Sequence, residues 1–154
     1  MKQFILSIAT MLMMGVSISA FAAKNEDGTV NQLIVKSFKK DFNGASNIIW
    51  EQRDTYTKAT FSLHGQVLFA YYNNNGDLQA VVRNITSDQL PISLLSSLRK
   101  EYGNCWLSDL FEIVSDDQTS YYVTLEDSDK KVVLKSQGTE FWSEFRKEKK
   151  GAGL

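Results

Sequence analysis

The sequence contains Ser37-Phe38-Lys39-Lys40-Asp41-Phe42-Asn43-Gly44 and, 60 residues later, Ser97-Leu98-Arg99-Lys100-Glu101-Tyr102-Gly103-Asn104. In both stretches an apolar residue, two basic residues, an acidic residue and an aromatic residue precede a pair of Gly and Asn. A fixed internal period indicates a repeated supersecondary unit. The sequence therefore predicts an α+β fold, a tandem duplicated unit of one helix packed on an antiparallel sheet.

Each stretch lies at the end of an amphipathic helix. Between Thr29 and Phe42 the apolar residues recur at steps of three and four, which lines one helix face. The same spacing recurs from Asp88 to Tyr102, where Pro91 is tolerated in the first turn. Gly44 and Gly103 end the two helices because glycine accepts left-handed backbone angles.

After each helix the apolar residues alternate, which is typical of strands with one face on a core. Asn-, Asp- and Gly-rich turns separate these strands. The predicted strands are 48–53, 56–64, 66–73, 77–84, 106–115, 120–126 and 131–136. The segment 141–145 is predicted as a fourth strand by analogy, although its spacing also permits a short helix.

The two copies correspond beyond the helices. Trp50-Glu51 aligns with Phe111-Glu112, Phe61 and Leu63 align with Val123 and Leu125, and Gly76 aligns with Gly138. We expect residues 1–22 to be a signal peptide and 23–154 to be one domain of two repeats, about 30–84 and 88–146. A single unit of this size buries little apolar surface, so the copies are expected to share a core.

The first residues predict export. Lys2 supplies a positive end, an apolar run extends from Phe4 to Val16, and Ala20-Phe21-Ala22 is a small-x-small cleavage pattern. The run is short for a bilayer core of roughly 30 Å, which disfavours a membrane anchor. The mature chain is therefore expected to begin at Ala23 and to be periplasmic or secreted, without stable membrane insertion.

Net charge disfavours a nucleic acid as partner. Without Lys2 the 17 basic residues become 16 against 18 acidic ones, a net charge of −2. Binding to a phosphate backbone needs clustered Lys and Arg, and the one dense basic run is Arg146 to Lys150 at the chain end. Cys105 is the single cysteine, so no disulfide forms within the chain. In an exported protein a lone cysteine can pair between molecules or be reactive, but its neighbours Trp106 and Leu107 favour a buried thiol.

No residue pattern predicts catalysis, a metal or a cofactor. His64 is the sole histidine, and Ser62, two strand positions away, is too distant for a nucleophile and base pair. The acidic groups 116–117 and 126–129 lack the spacing of a calcium loop and are better explained as turns. We therefore expect a protein that is not an enzyme.

Aromatic residues are abundant: three Trp, six Tyr and nine Phe. Adjacent residues of a strand point to opposite faces, so the pairs Tyr71-Tyr72 and Tyr121-Tyr122 each send one ring to each face. If Phe61 faces the helix, Lys58 faces away from it. Exposed Tyr, Trp and basic side chains are enriched at binding surfaces, although packing within the fold explains them equally well. The candidate partner-binding residues are Tyr56, Lys58, His64, Tyr72, Trp106, Tyr122 and Trp142.

With these motifs assembled, the chain resembles the PepSY-like proteins of Gram-negative periplasms, also described as similar to β-lactamase inhibitory protein. The resemblance rests on the signal, the repeated helix, Trp50-Glu51, the hairpin from Tyr71 to Leu78 and the helix start Leu90-Pro91. It implies a duplicated helix-and-sheet fold and a non-enzymatic role. Inhibition of β-lactamase does not carry over, because no inhibitory contact residue can be matched.

Two functions remain as hypotheses. The first is a binding or inhibitor-type module that presents an open sheet face to an exported protein or peptide, since antiparallel sheets can leave one face in water. The second is a small apolar-ligand-binding or envelope-stress protein that encloses its ligand between the repeats. The oligomeric state and the identity of the partner are not encoded in any motif.

Overall fold

The computed structural model describes residues 30–150, and the chain divides between Val81 and Val82 into two compact units. The predicted signal peptide and the cleavage position at Ala23 lie outside the described residues. Between Val30 and Lys150, neither α-helix is long and apolar enough to cross a bilayer. The architecture is α+β, as predicted.

The first unit is a helix followed by strands that neighbour one another in chain order. Its elements are α1 (Gln32–Asp41), β1 (Ser46–Gln52), β2 (Thr57–Leu63), β3 (Gln66–Tyr72) and β4 (Leu78–Asn84), the last of which crosses the division. The β1–β2 and β2–β3 pairs are antiparallel. Asn31 caps α1, because its side-chain oxygen accepts a hydrogen bond of 2.9 Å from the Leu33 amide.

Phe38 is the centre of the first core. Its ring, 1% exposed, meets Trp50 and Phe61 edge to face at 5.1 and 4.9 Å between ring centres. Ile34 of α1, Ala70 and Tyr72 of β3 belong to the same cluster. The helix therefore covers the sheet face that carries Phe61, as the alternation predicts.

The second unit repeats the order of helix and strands. It comprises a 3₁₀ turn (Ser87–Gln89), α2 (Ile92–Tyr102), β5 (Trp106–Ser115), β6 (Gln118–Glu126), β7 (Lys130–Gln137) and β8 (Ser143–Lys149). Strands β5 to β8 are antiparallel neighbours in that order. The final segment is thus a strand, which decides between the two alternatives left by its spacing.

The helix predicted from Asp88 begins instead at Ile92. Thr86 and Gln89 close a capping box around the separate 3₁₀ turn, with the Thr86 amide donating to the Gln89 side chain over 2.9 Å. Pro91 disfavours helical angles at Leu90, so the apolar pattern is split between two elements. Leu98 of α2 packs with Val123 and Leu134 of the strands in the second core.

Two tight turns explain where neighbouring strands end. His64 and Gly65 have φ of 50° and 78°, and Asp116 and Asp117 have φ of 50° and 58°. Two consecutive positive φ angles match the twist of a two-residue hairpin. His64 was predicted as the last residue of its strand but belongs to the turn after Leu63, so it does not share a strand face with Ser62.

The alignment of Trp50 with Phe111 is wrong in its facing. Trp50 packs on the helix side of the strands of the first unit. In the second unit Val123 faces the helix, so its neighbour Tyr122, and Phe111 stacked on Tyr122, lie on the opposite side of the strands. β-Bulges interrupt β1 between Ser46 and Ile49, and β5 between Leu107 and Asp109. Each bulge shifts the alternation, so matching letters do not imply matching faces.

Candidate functional site

One face of the first unit combines charge with exposed apolar surface. Residues that are paired across neighbouring strands point to the same face of a sheet. In β1, β2 and β3 the pairs Glu51–Lys58 and Thr60–Phe69 point to the face that is turned away from α1. We call this the β1–β3 face; its side chains are those of Ile49, Glu51, Lys58, Thr60, Ser62, Val67, Phe69 and Tyr71. Ile49 and Val67 are 38% and 54% exposed.

Lys58 is the centre of charge on the β1–β3 face. Its Nζ atom lies 2.7 Å from Oε1 of Glu51 and 5.3 Å from the centre of the Phe69 ring. Lys58 is 22% exposed at its side chain, so both contacts are partly shielded from water. The ammonium is held in place between a carboxylate and an aromatic ring.

Tyr56 and Tyr71 extend this face at one end, while Tyr72 points to the other side. The rings of Tyr56 and Tyr71 are 5.6 Å apart, and burial raises the pKa of both hydroxyls. Tyr72 is fully buried in the first core and donates a 3.2 Å hydrogen bond to Asp41. Burial, with Asp41 beside it, raises the pKa of Tyr72. The two adjacent tyrosines thus face opposite ways, as predicted.

Trp106 begins β5 in the second unit and is 54% exposed. Lys150 lies over its ring, with Nζ 4.5 Å from the ring centre, and also reaches Oε2 of Glu126 at 2.9 Å. Glu126 contacts Lys131 as well, at 3.6 Å. The exposed tryptophan therefore adjoins a charged network.

The two remaining aromatic candidates are less accessible. Tyr122 is fully buried, stacked on Phe111 at 5.2 Å, and its hydroxyl has no hydrogen-bond partner among the described residues. Trp142 is half-buried against the second core, and its indole N–H donates to the Leu94 carbonyl of α2 over 3.0 Å. Both side chains have structural contacts that account for their positions.

The candidate residues thus fall into separate groups. Tyr56 and Lys58 adjoin one surface, His64 is exposed in a turn at the far end of β2, and Trp106 belongs to the second unit. Cys105, predicted to be buried, is half-buried against the second core, because it lies at the start of the strands where the cluster ends. Within residues 30–150 no three His, Cys, Asp or Glu side chains are grouped to hold a metal ion.

Sequence reasoning missed the apolar part of the β1–β3 face. Ile49, Val67 and Phe69 belong to residue types that are common in strands, so nothing in the sequence distinguishes them from core residues. Alternation along β3 predicts that Phe69 points to the opposite face from Leu68 and Ala70. Its position beside Lys58 depends on the β2–β3 register, which follows from the tight turn at His64-Gly65.

The fold matches solved structures across most of the chain. A BLIP-like protein from Bacteroides fragilis shares 22% identity and a TM-score of 0.67, covering 85% of this chain and 95% of its own. A DUF2874 family protein from Bacteroides ovatus shares 17% identity and a TM-score of 0.69, and the match covers 79% of this chain and 88% of the other. A protein provisionally described as periplasmic, from Bacteroides eggerthii, shares 14% identity and a TM-score of 0.69, and the match covers 79% of this chain and 90% of the other.

These likenesses define the class by fold. No protein-family model matches the chain, and no curated protein matches its sequence. At identities of 14–22% the solved structures establish the fold alone. The resemblance to β-lactamase inhibitory protein-like proteins is confirmed at that level.

Proposed function

We propose that this chain is a non-enzymatic, exported binding module that recognises a protein or peptide through the β1–β3 face. The observation that carries this proposal is the grouping of Ile49, Val67 and Phe69 beside the Lys58–Glu51 ion pair. Apolar and aromatic side chains next to a held charge resemble the core and rim of protein interfaces.

The arrangement of Lys58 favours recognition of a carbonyl-rich partner. Its ammonium carries three donors, and Glu51 and Phe69 reduce the rotamer freedom that binding would otherwise remove. Val67 and Ile49 supply apolar area whose removal from water stabilises a complex. A partner with an apolar side chain next to an exposed carbonyl group matches both features.

The solved structures support this proposal in a general way. One is named BLIP-like and another is described as periplasmic, which agrees with an exported protein and with the predicted signal sequence. On this proposal the two helix-and-strand units derive from a duplication and have since acquired different surfaces. Tyr72, Tyr122 and Trp142 stabilise the fold, and the β1–β3 face binds.

Position-specific photo-crosslinking tests the proposal. A photoreactive phenylalanine replaces Val67 in one variant and Leu33 in another, and crosslinked products are compared in cells that export the protein. Leu33 is a matched control, because it is exposed to 59% against 54% for Val67 but lies on α1, away from the β1–β3 face. We expect a discrete adduct from position 67 and none from position 33.

Binding by the crosslinked partner is then measured with Val67→Asp and Leu33→Asp. A buried new carboxylate should weaken binding at least about tenfold for Val67→Asp, while Leu33→Asp should bind as the parent does. Equal crosslinking from both positions, or equal affinity of both variants, would contradict the proposal. Circular dichroism of each variant checks that the fold is retained.

A further inference from the structure

A cavity of about 630 Å³ lies in the second unit, on the strands β6 and β7 and the loop before β8. Thr119, Lys135, Gly138, Phe141 and Ser143 line it, together with Glu140. Cavities of roughly 300–1,000 Å³ accommodate small organic molecules. The cavity is separate from the β1–β3 face, which belongs to the first unit.

Lys135 is the unusual residue of this cavity. Among the half-buried Lys and Arg side chains of residues 30–150, the others each contact a carboxylate: Lys58, Arg83, Lys130, Lys131 and Arg146. Lys135 has no carboxylate within 4.0 Å among the described residues. A partly shielded ammonium without a counter-charge favours an anion from solution.

The ring below Lys135 holds the ammonium in place. Nζ lies 5.3 Å from the centre of the Tyr122 ring, which is fully buried, stacks on Phe111 and makes an edge contact with Phe145. Lys135 is paired with Tyr122 on β6 and with Ser143 on β8, so the three residues form one row. The row directs the lysine to the cavity side of the sheet.

The other lining groups restrict the anion. Ser143 donates its hydroxyl hydrogen to the Lys135 carbonyl over 2.9 Å, so Lys135 is the lining residue whose side chain donates to the anion. The Phe141 ring, 67% exposed, supplies an apolar wall. Glu140 adds a negative charge, whose repulsion is smaller for a monoanion than for a multiply charged anion such as a phosphate.

We propose that this cavity binds a monoanionic organic carboxylate whose apolar or aromatic group lies against Phe141. The carboxylate accepts a hydrogen bond from Lys135 Nζ. Two sources share this chemistry: a free small carboxylic acid, and the C-terminal carboxylate of a peptide that ends in an apolar residue.

The test uses ¹⁵N–¹H spectra of the purified chain with four probes. These are 3-phenylpropanoate, its neutral primary amide, a hexapeptide that ends in Phe with a free carboxylate, and the same peptide as the C-terminal amide. The Gly138 amide, which donates to the Thr119 carbonyl over 2.9 Å, reports on the cavity. We expect saturable shifts at Gly138 and Thr119 with 3-phenylpropanoate, at least about tenfold weaker with its amide.

Three variants locate the charge. Lys135→Met should weaken carboxylate binding at least about tenfold, Lys135→Arg should keep it within about threefold, and Lys149→Met, at an exposed position of β8, should leave it unchanged. Binding of the peptide with a free C-terminal carboxylate, but not of its amide, would show that the cavity also accepts the C-terminus of a peptide. Equal binding of acid and amide, no saturable shift in the low-millimolar range, or unchanged binding by Lys135→Met in a folded protein would overturn the proposal.

Discussion

The two units have the same order of helix and strands but different surfaces opposite their helices. In the first unit that surface shows Ile49 and Val67 beside the Lys58–Glu51 ion pair. In the second, Glu126 contacts both Lys131 and Lys150, and Arg146 contacts Glu148 at 2.5 Å. The units therefore share their order of helix and strands, and they differ in the side chains on the strand faces opposite to the helices.

The largest expected difference concerns the two aligned glycines. Gly76 has φ of 87°, and a Cβ atom there would lie 3.2 Å from the backbone of Leu33 in α1. Gly138 has φ of 66° but no atom within 4 Å of such a Cβ. We expect Gly76→Ala to lower the free energy of unfolding by about 2 kcal/mol and Gly138→Ala by about 1 kcal/mol.

Chemical denaturation of both variants measures this difference. The extra cost at Gly76 arises because the loop after β3 is tied to the start of α1, where the Asn31 side chain donates to the Asn74 carbonyl over 3.2 Å. Equal losses of free energy of unfolding in the two variants would show that the backbone near Leu33 moves to accommodate the new Cβ atom at little cost. In that case left-handed geometry alone would account for both glycines.

A second comparison concerns two buried tyrosine hydroxyls. Tyr72 donates to Asp41, whereas Tyr122 has no partner among the residues that the structure describes. Tyr72→Phe should lower the free energy of unfolding by about 1 kcal/mol, because it removes a hydrogen bond. Tyr122→Phe should leave it unchanged or raise it by up to about 1 kcal/mol, since a buried unpaired hydroxyl is itself destabilising.

Thermal and urea unfolding of both Phe variants check this sign. Each substitution keeps the ring and its packing, so the hydroxyl is the single change. A loss at Tyr122→Phe as large as that at Tyr72→Phe would mean that the Tyr122 hydroxyl has a bonding partner in solution. It would also remove the contrast between the two tyrosines.

Most of the fold follows from local patterns in the sequence. Strand β5 has the predicted bounds, 106–115, because alternation and an Asp-Asp turn delimit it clearly. The start of α2 differs because Pro91 divides one apolar pattern between two elements. The facing of Trp50 and Phe111 could not be predicted, because β-bulges leave no dependable signal in a single sequence.

The candidate site was less predictable than the fold. Lys58 was placed on the correct face by alternation, but its contacts with Glu51 and Phe69 depend on the register of three strands. Tyr122 and Trp142 are of residue types that are common at binding surfaces, but Tyr122 is buried and Trp142 is half-buried. Composition indicates which side chains can bind, and only packing decides which of them reach solvent.

The smallest expected effect concerns the charged network of the second unit and its pH dependence. Hydrogen bonds from Lys150 and then Ser108 lower the pKa of Glu126. A lowered pKa means that the folded state binds the proton more weakly than the unfolded chain, whose Glu titrates near 4.3. The contribution of Glu126 to the free energy of unfolding is therefore complete above the pKa of the unfolded chain. It is lost as the pH falls through the lower pKa of the folded state.

Glu126→Gln should accordingly destabilise the protein at pH 7 by less than about 1 kcal/mol, the usual range for ion pairs near the surface. The difference from the parent should shrink as the pH falls below about 4, and also with added salt. Urea unfolding at a series of pH values measures it, with Glu101→Gln at an exposed position of α2 as the control. A difference that stays constant or grows on acidification would mean that Glu126 stabilises the strands through packing rather than charge.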